Sequence, residues 1–350
     1  MRLLIAASGT GGHLFPAIAT AAQLSEHHIE WLGVPDRLET QLVPQHYPLH
    51  TIPVEGFQTR LGLGSLRTLN RLTRSIFKVR RILRQENFEA VFTTGGYIAA
   101  PAILAARSLG LPVILHESNV LPGKVTRLLS RLCDGVALGF AATKSYLPVP
   151  QKTVVVGTPV RPEFLAPTQP LPFAIPEDAF VIVVVGGSQG AVAVNQLVRQ
   201  AAPQWFEAGV WVVHLTGTHD KEVDRLNHPQ YIALPFYDQM AALLNRANLA
   251  ISRAGSGTLT ELAVTQTPSI LIPYPYAAED HQTYNARVFT EAGAALMLPQ
   301  KELTPEVLNQ TIFKLLESPE TLAAMKQATA ALAVRDSAKQ LANFIIKQLK

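Results

Sequence analysis

Residues 3–12 read LLIAASGTGG, and residues 181–191 read VIVVVGGSQGA. Each is a short apolar run that stops abruptly at glycines, and the reading of these two stretches decides the fold. Such a run has the length of a buried strand. Glycines placed directly after it let backbone N–H groups approach an anion where the next helix begins. The same opening occurs twice in a chain of 350 residues, a length at which two domains are the natural expectation.

Further apolar, β-branched runs read as buried strands. In the first half they are Ala90–Thr94, Val113–His116 and Val154–Val156, in addition to Leu3–Ala7. In the second half they are Val210–Leu215, Leu249–Ser252 and Ile270–Ile272, in addition to Val181–Val185. Between them, Ala99–Leu109 and Val192–Ala202 carry apolar residues at helical spacing. Strand–helix–strand alternation predicts α/β domains with parallel sheets covered on both faces. The proline-dense segment 147–178, LPVPQKTVVVGTPVRPEFLAPTQPLPFAIPED, predicts a connector and a boundary near Thr158–Glu177. The expected architecture is two Rossmann-like domains, 1–160 and 161–335, with their sheets facing across a ligand-binding cleft.

Composition narrows the class. Hydrophobic residues make up 48% of the chain and charged ones 16%, as in a folded protein rather than a disordered one. A single cysteine, Cys133, excludes a disulfide framework and a cysteine-based zinc site, and fits a reducing cytoplasm. The N-terminal apolar run is too short for a secretion signal, and no stretch has the length of a membrane span. The net charge of +4 is unevenly spread. Residues 1–160 hold 16 Lys and Arg against 9 acids, and residues 161–350 hold 14 against 17. The excess concentrates in 60–84, where Arg60, Arg67, Arg71, Arg74, Lys78, Arg80, Arg81 and Arg84 have no acid among them.

The glycine loops exclude the commonest nucleotide motifs. A dinucleotide fingerprint needs a third glycine where Leu14 stands, and Asp36 follows an apparent loop rather than a second strand. A Walker-type G-x-x-x-x-G-K-[ST] is absent. Three glycine-rich strand ends remain, GTGGH, TTGGYIAAP and GGSQGA, two in the first half and one in the second. They suit phosphates or sugar edges and suggest one ligand per domain. A fourth turn, 253–258, is rich in glycine and hydroxyls and runs into a helix bearing Glu261. Its N–H groups and hydroxyls suit a diphosphate, with Arg253 or Arg161 supplying charge. Glu261 suits a ribose diol, and its alternative reading is a partner for the helix dipole. His281 and Gln282, at the start of a later helix, suit sugar hydroxyls.

These residues resemble the nucleotide-sugar site of GT-B glycosyltransferases. The ordered set GTGGHLFPA, TTGGYIAAPA, HESNVLPG, VGTPVR, GGSQGA, SRAGSGTLTE and EDHQTYNA resembles family 28 in particular. That family includes the inverting enzymes that transfer N-acetylglucosamine from UDP-N-acetylglucosamine to undecaprenyl-diphospho-muramoylpentapeptide (lipid I), giving lipid II for peptidoglycan. The resemblance implies that Thr10, Gly11 and Gly12 face the donor sugar and the acceptor diphosphate, and that Asn119 touches the sugar. Arg161 and Ser188 would hold the nucleotide, and Tyr237 would offer its backbone to uracil. Ser256, Gly257 and Thr258, with Leu259 and Thr260 behind them, would cradle the diphosphate. Glu261 would hold the ribose and Gln282 the N-acetylglucosamine hydroxyls, while Asn195 matches a family position linked to activity. The turn AGSGTL carries more glycine than some relatives do. The resemblance also implies a peripheral enzyme on the cytoplasmic face of a bacterial plasma membrane, with cell-wall synthesis proteins as partners. It further implies that the final helix, 336–350, returns to the first domain.

An inverting transfer needs a base for the attacking hydroxyl and donors for the departing diphosphate. There is no D-x-D motif, so neither a metal nor a cofactor is expected. His13 is the leading base, because a neutral imidazole at a helix start can accept a proton. Its alternative is a packing role in the loop. Glu117 is the competing base, Tyr97 would position the acceptor, and His116, at the end of a buried strand, is structural. In the basic stretch, Leu66, Leu69, Leu72, Ile76, Val79 and Leu83 share one helix face, and Arg67, Arg71, Arg74, Lys78 and Arg81 share the other. A basic face on the first domain, after the apolar residues of GFQTRLGLGS, predicts reversible binding to an anionic membrane rather than to nucleic acid. Alternatives are a GT-B enzyme with another lipid acceptor, such as diacylglycerol, and a UDP-sugar epimerase. A non-catalytic nucleotide-sugar-binding module is a third.

Overall fold

In the computed structural model the apolar runs form two all-parallel sheets. The structure describes residues 1–350 except Thr10, 55–62, Thr168, Ser188, Gln189 and Lys350, and it leaves undescribed the side chains of 63–69. Two units divide the chain, Met1–Arg161 with Asp336–Lys350, and Pro162–Arg335.

The first unit contains β1 (Arg2–Ala6), α1 (Gly11–Ala22), β2 (His28–Gly33), α2 (Glu39–Leu42), β3 (Leu49–Thr51), α3 (Leu63–Gln85) and β4 (Ala90–Thr93). It continues with α4 (Ala99–Arg107), β5 (Val113–Glu117), α5 (Lys124–Leu129), β6 (Gly135–Leu138) and β7 (Thr153–Val155). Its sheet has the order β3-β2-β1-β4-β5-β6-β7. Alternation along β1 sends its side chains to two separate cores. Leu4 and Ala6 pack with Val79, Leu83, Ile98 and Ile103 from α3 and the α4 region. Leu3 and Ile5 pack with Leu14, Ala17 and Ala21 of α1 on the opposite face.

The second unit contains β8 (Val181–Val185), α6 (Val192–Glu207), β9 (Trp211–Leu215), β10 (Tyr231–Leu234), α7 (Met240–Arg246) and β11 (Leu249–Ser252). It continues with α8 (Ser256–Thr265), β12 (Ser269–Leu271), α9 (His281–Glu291), β13 (Ala295–Met297), α10 (Pro305–Leu316) and α11 (Pro319–Ala331). The order is β10-β9-β8-β11-β12-β13, the first unit's pattern shortened by one strand. All five residues of β8 are buried, as a central parallel strand covered on both faces requires.

The chain then returns to the first unit as α12 (Ser337–Gln348), whose Leu341, Ala342 and Ile345 join the core beneath α1. Gly135 permits this approach, since a Cβ there would lie 2.6 Å from the Phe344 ring. On α3, Ser75, Val79 and Leu83 are buried, whereas Arg71, Arg74, Lys78 and Arg81 are exposed. Arg60 and the side chains of Leu66, Arg67 and Leu69 lie outside the described residues. Among the described residues no helix is long and apolar enough to cross a membrane.

Candidate active site

In each sheet the chain runs outward in one direction and then returns to build the other side. The reversal falls between β1 and β4 in the first unit and between β8 and β11 in the second. Ligands of such sheets bind beyond the carboxyl ends of the strands at these reversals. The four glycine-rich turns follow these four strands, so the sequence places its most permissive backbone where close approach to a ligand is required.

In the first unit, Gly9 adopts φ 106°, and its N–H donates to Glu39 Oε2 at 3.2 Å. Glu39 is fully buried, and its other oxygen accepts from the Val34 N–H at 2.8 Å. His13 is the third residue of α1. Its Nδ1 lies 2.7 Å from the Thr94 carbonyl, and the Thr94 hydroxyl donates to the His13 carbonyl at 2.9 Å. A carbonyl only accepts, so Nδ1 carries the hydrogen, and in the neutral ring Nε2 keeps its lone pair. The ring packs on the second glycine turn, where Gly95 and Gly96 have φ of 86° and 73°. A Cβ on Gly96 would stand 3.7 Å from Nε2. Tyr97, next in the chain, is 51% exposed.

The loop after β5 is built by Glu117, which is buried. Its Oε1 accepts from the Asn119 N–H at 3.0 Å and the Asn119 side-chain amide at 3.3 Å, and its Oε2 accepts from the Gly123 N–H at 3.2 Å. With both oxygens holding the loop, Glu117 fits the orientation of Asn119 better than proton abstraction. His116 is buried, gives its Nε2 hydrogen to the Gly157 carbonyl at 2.9 Å, and burial pulls its pKa below the ordinary range. The Arg161 guanidinium lies over the Phe15 ring, 4.9 Å from its centroid.

In the second unit, α8 is preceded by Gly255 at the N-cap, which offers no side-chain cap, so Ser256, Gly257 and Thr258 present first-turn N–H groups. Leu259 and Thr260 differ from the expectation. The Leu259 side chain is buried and its N–H is spent on the Gly255 carbonyl at 3.0 Å, while the Thr260 hydroxyl donates back to the Ser256 carbonyl at 2.9 Å. Arg253 also requires correction. It is buried, with Nη1 donating to the Ile272 and Pro273 carbonyls at 3.0 and 3.2 Å and Nη2 to Gln300 Oε1 at 2.7 Å. Burial holds its pKa below the usual guanidinium range. Arg253 therefore braces the turn after β12 instead of projecting charge to a diphosphate.

Gln282 Oε1 accepts from the Ala254 and Tyr274 N–H groups at 3.2 and 2.9 Å, which fixes the amide and leaves its NH2 as the donor end. One turn on, Asn285 donates to the Ala254 carbonyl at 3.1 Å, so α9 holds both the N–H and the carbonyl of Ala254, just ahead of the α8 N-cap. His281 Nδ1 donates to the Ala278 carbonyl at 2.9 Å. Glu279 and Asp280, just before α9, both take left-handed backbone, a strained entry of the kind found at functional loops. Glu261 is half-buried on the second turn of α8, and Tyr237 follows β10 with its ring 5.5 Å from that of Phe173. Asn195 does not face solvent. Its amide is buried and bonded to Thr216, Asp220 and His214. Thr10 and Ser188 lie outside the described residues.

Glu39, Thr94 and Asn285 were not singled out by the sequence. Asn285 stands three residues after Gln282, a helical spacing that marks a shared face. Glu39 carries no such signal. Among the described residues no cluster of three or more His, Cys, Asp or Glu could hold a metal ion.

Comparison with known proteins decides the assignment. The N-terminal domain of glycosyltransferase family 28 matches residues 3–138, and its C-terminal domain matches residues 181–341. The chain belongs to glycosyltransferase family 28. Among its relatives, a protein of Gloeothece citriformis (strain PCC 7424) is 64% identical, covering 99% of this chain and 95% of that protein. One of Trichormus variabilis (strain ATCC 29413 / PCC 7937) is 66% identical, covering 98% and 96%. Both are named UDP-N-acetylglucosamine--N-acetylmuramyl-(pentapeptide) pyrophosphoryl-undecaprenol N-acetylglucosamine transferase. The crystal structure of Acinetobacter baumannii MurG matches with a TM-score of 0.78 at 29% identity, covering 99% of this chain and 100% of that one. A putative UDP-N-acetylglucosamine 2-epimerase from Listeria monocytogenes matches at TM-score 0.71 and 14% identity, covering 97% and 94%. That last likeness shows a shared fold alone. The family 28 chain thus has the GT-B fold, with two Rossmann-like units of parallel sheet.

Proposed function

We propose that the chain is an inverting glycosyltransferase that moves N-acetylglucosamine from UDP-N-acetylglucosamine to the C4 hydroxyl of the muramoyl sugar in lipid I, giving lipid II. The substrates follow from relatives at 64 and 66% identity whose names state this donor and acceptor. The observation that supports the chemistry is the fixed tautomer of His13, with Nδ1–H held by the Thr94 carbonyl at 2.7 Å and Nε2 left as acceptor.

The acceptor oxygen attacks C1 of the donor sugar while Nε2 of His13 takes the hydroxyl proton. The C1–oxygen bond to the diphosphate breaks with its electron pair, and UDP departs. First-turn N–H groups of Ser256, Gly257 and Thr258 hold the charge that develops on the diphosphate. Glu261 binds the ribose, Gln282 presents its NH2 to the sugar hydroxyls, and the backbone of Tyr237 meets the uracil. His281, Arg161, Gly11, Gly12, Thr10 and Ser188 complete the substrate contacts. Glu117 keeps Asn119 aimed at the sugar, and Tyr97 positions the acceptor. The first unit binds the acceptor and the second the donor.

The enzyme works as a peripheral protein at the cytoplasmic face of the plasma membrane, beside proteins of cell-wall synthesis. In support, Phe77 is 66% exposed on α3, the helix that also exposes Arg74, Lys78 and Arg81. On the same unit, Leu128 is 74% exposed and stands between Arg127 and Arg131 in sequence.

Substituting the base tests the chemistry. His13→Ala should lower kcat by about 10²- to 10⁴-fold while UDP-N-acetylglucosamine binds as in wild type. Near-normal turnover would return His13 to a packing role and overturn its assignment as the base.

A further inference from the structure

Five polar side chains of the second unit are buried together behind its first glycine turn. Asn195 and Arg199 come from α6, His214 from β9, Asp220 from the loop that follows it, and Tyr231 from β10. Their hydrogen bonds admit one proton arrangement. Asn195 has two amide hydrogens, which go to the Thr216 carbonyl at 2.7 Å and Asp220 Oδ2 at 2.6 Å. Its Oδ1 must then accept, so His214 Nε2 donates to it at 3.0 Å. His214 Nδ1 in turn accepts, and the Tyr231 hydroxyl donates to it at 2.7 Å. Asp220 is anchored by Arg199 Nη1 at 2.8 Å and by the Glu222 N–H at 2.9 Å.

The end of this chain of bonds is the Thr216 carbonyl. Gly190 sits directly on it, with φ 76°, so close that any Cβ there would collide with the carbonyl oxygen. Gly190 closes the turn that opens α6, its N–H bonded to the Gly187 carbonyl at 2.9 Å. The position of Gly190 is thus set from beneath by an oxygen that Asn195 holds.

We propose that Tyr231, His214 and Asn195, braced by Asp220 and Arg199, are positioning residues that fix Gly190, at the entry to α6, for binding of the nucleoside diphosphate by the second unit. The proposal rests on the reading of the second unit as the donor-binding one. The arrangement requires a neutral His214, and burial, with Arg199 nearby, takes its pKa down to about 3. The groups facing it, Arg199, Asp220 and Tyr231, keep their charge states at physiological pH, with the tyrosine pushed up to about 12 by burial.

The test is calorimetric titration of the full chain with UDP, alongside thermal unfolding and the KM for a soluble acceptor analogue. Asn195→Asp removes both donors and faces Asp220 with a second carboxylate, so it should lower stability and weaken UDP binding together. Adding Asp220→Asn relieves the repulsion but restores no donor at Asn195. The double variant should recover most of its thermal stability and still bind UDP about tenfold more weakly, with the acceptor KM unchanged. Tyr231→Phe, which deletes one hydroxyl, should keep the fold and weaken UDP about threefold. Wild-type UDP affinity in a stable double variant and in Tyr231→Phe would overturn the proposal and leave the network a packing feature. A wild-type chain that does not bind UDP would overturn the donor-unit reading and this inference with it.

Discussion

At the scale of single residues, the chemistry depends on which atom of a side chain is already engaged. His13 is committed through Nδ1 and Gln282 through Oε1, and each is left with one functional end. The residue types were legible in the sequence, but their orientations were not, because Thr94 lies 81 residues from His13 and Tyr274 lies 8 from Gln282. Arg253 shows the opposite outcome. Beside a glycine-rich turn it reads as an anion ligand, yet carbonyls at the end of the next strand claim its nitrogens. Burial also leaves a thermodynamic trace. The folded His214 has its pKa down at about 3, below the roughly 6.5 of an unfolded imidazole. The unfolded state therefore takes up the proton first, and the stability present above about pH 6.5 is lost as pH falls towards the folded value. Between pH 7 and pH 5 that loss is on the order of 2 kcal/mol. In urea unfolding, His214→Asn should narrow the stability gap between those pH values by about that amount. A gap unchanged from wild type would show that His214 does not contribute to it.

At the scale of elements, strands buried on both faces were the most legible. Five consecutive apolar residues in β8 leave little ambiguity, and β1, β4, β5 and β11 each carry an unbroken run of three or four apolar residues. The strands absent from the sequence reading, β2, β3, β6, β10 and β13, are short, partly exposed or mixed in polarity. In β2, HIEWLG buries a glutamate under His28, His50 and Arg2, which hides its apolar character. The final helix was expected on the first domain only through the family resemblance, since its pattern of apolar residues says nothing about which sheet it covers. Its packing is open to a direct check. Leu341→Ala should cost about 2–5 kcal/mol, because Leu341 is fully buried beside Leu14 and Ala17. Chemical denaturation would measure it, and a cost below about 0.5 kcal/mol would mean that α12 is not a structural part of the first unit.

At the scale of the whole molecule, the repeat of one topology explains why a chain of this length has four glycine turns. Two copies of the same reversal each demand a pair of them, and the copies are free to bind different partners. The charge asymmetry supports the proposal that the first copy is the one that meets the membrane. Co-sedimentation with vesicles containing phosphatidylglycerol should show binding that weakens with salt. Arg74→Glu with Arg81→Glu should reduce it tenfold or more, at roughly 1 kcal/mol per basic charge near the surface. Equal binding to uncharged vesicles would contradict the electrostatic account. The most direct test of the central claim is transfer itself. The wild-type chain is incubated with radiolabelled UDP-N-acetylglucosamine and a soluble lipid I analogue, with EDTA present. Label is expected in the disaccharide product at a rate indifferent to the chelator. Label that stays on the nucleotide, whether unchanged or as an epimer, while the analogue is recovered intact, would contradict it.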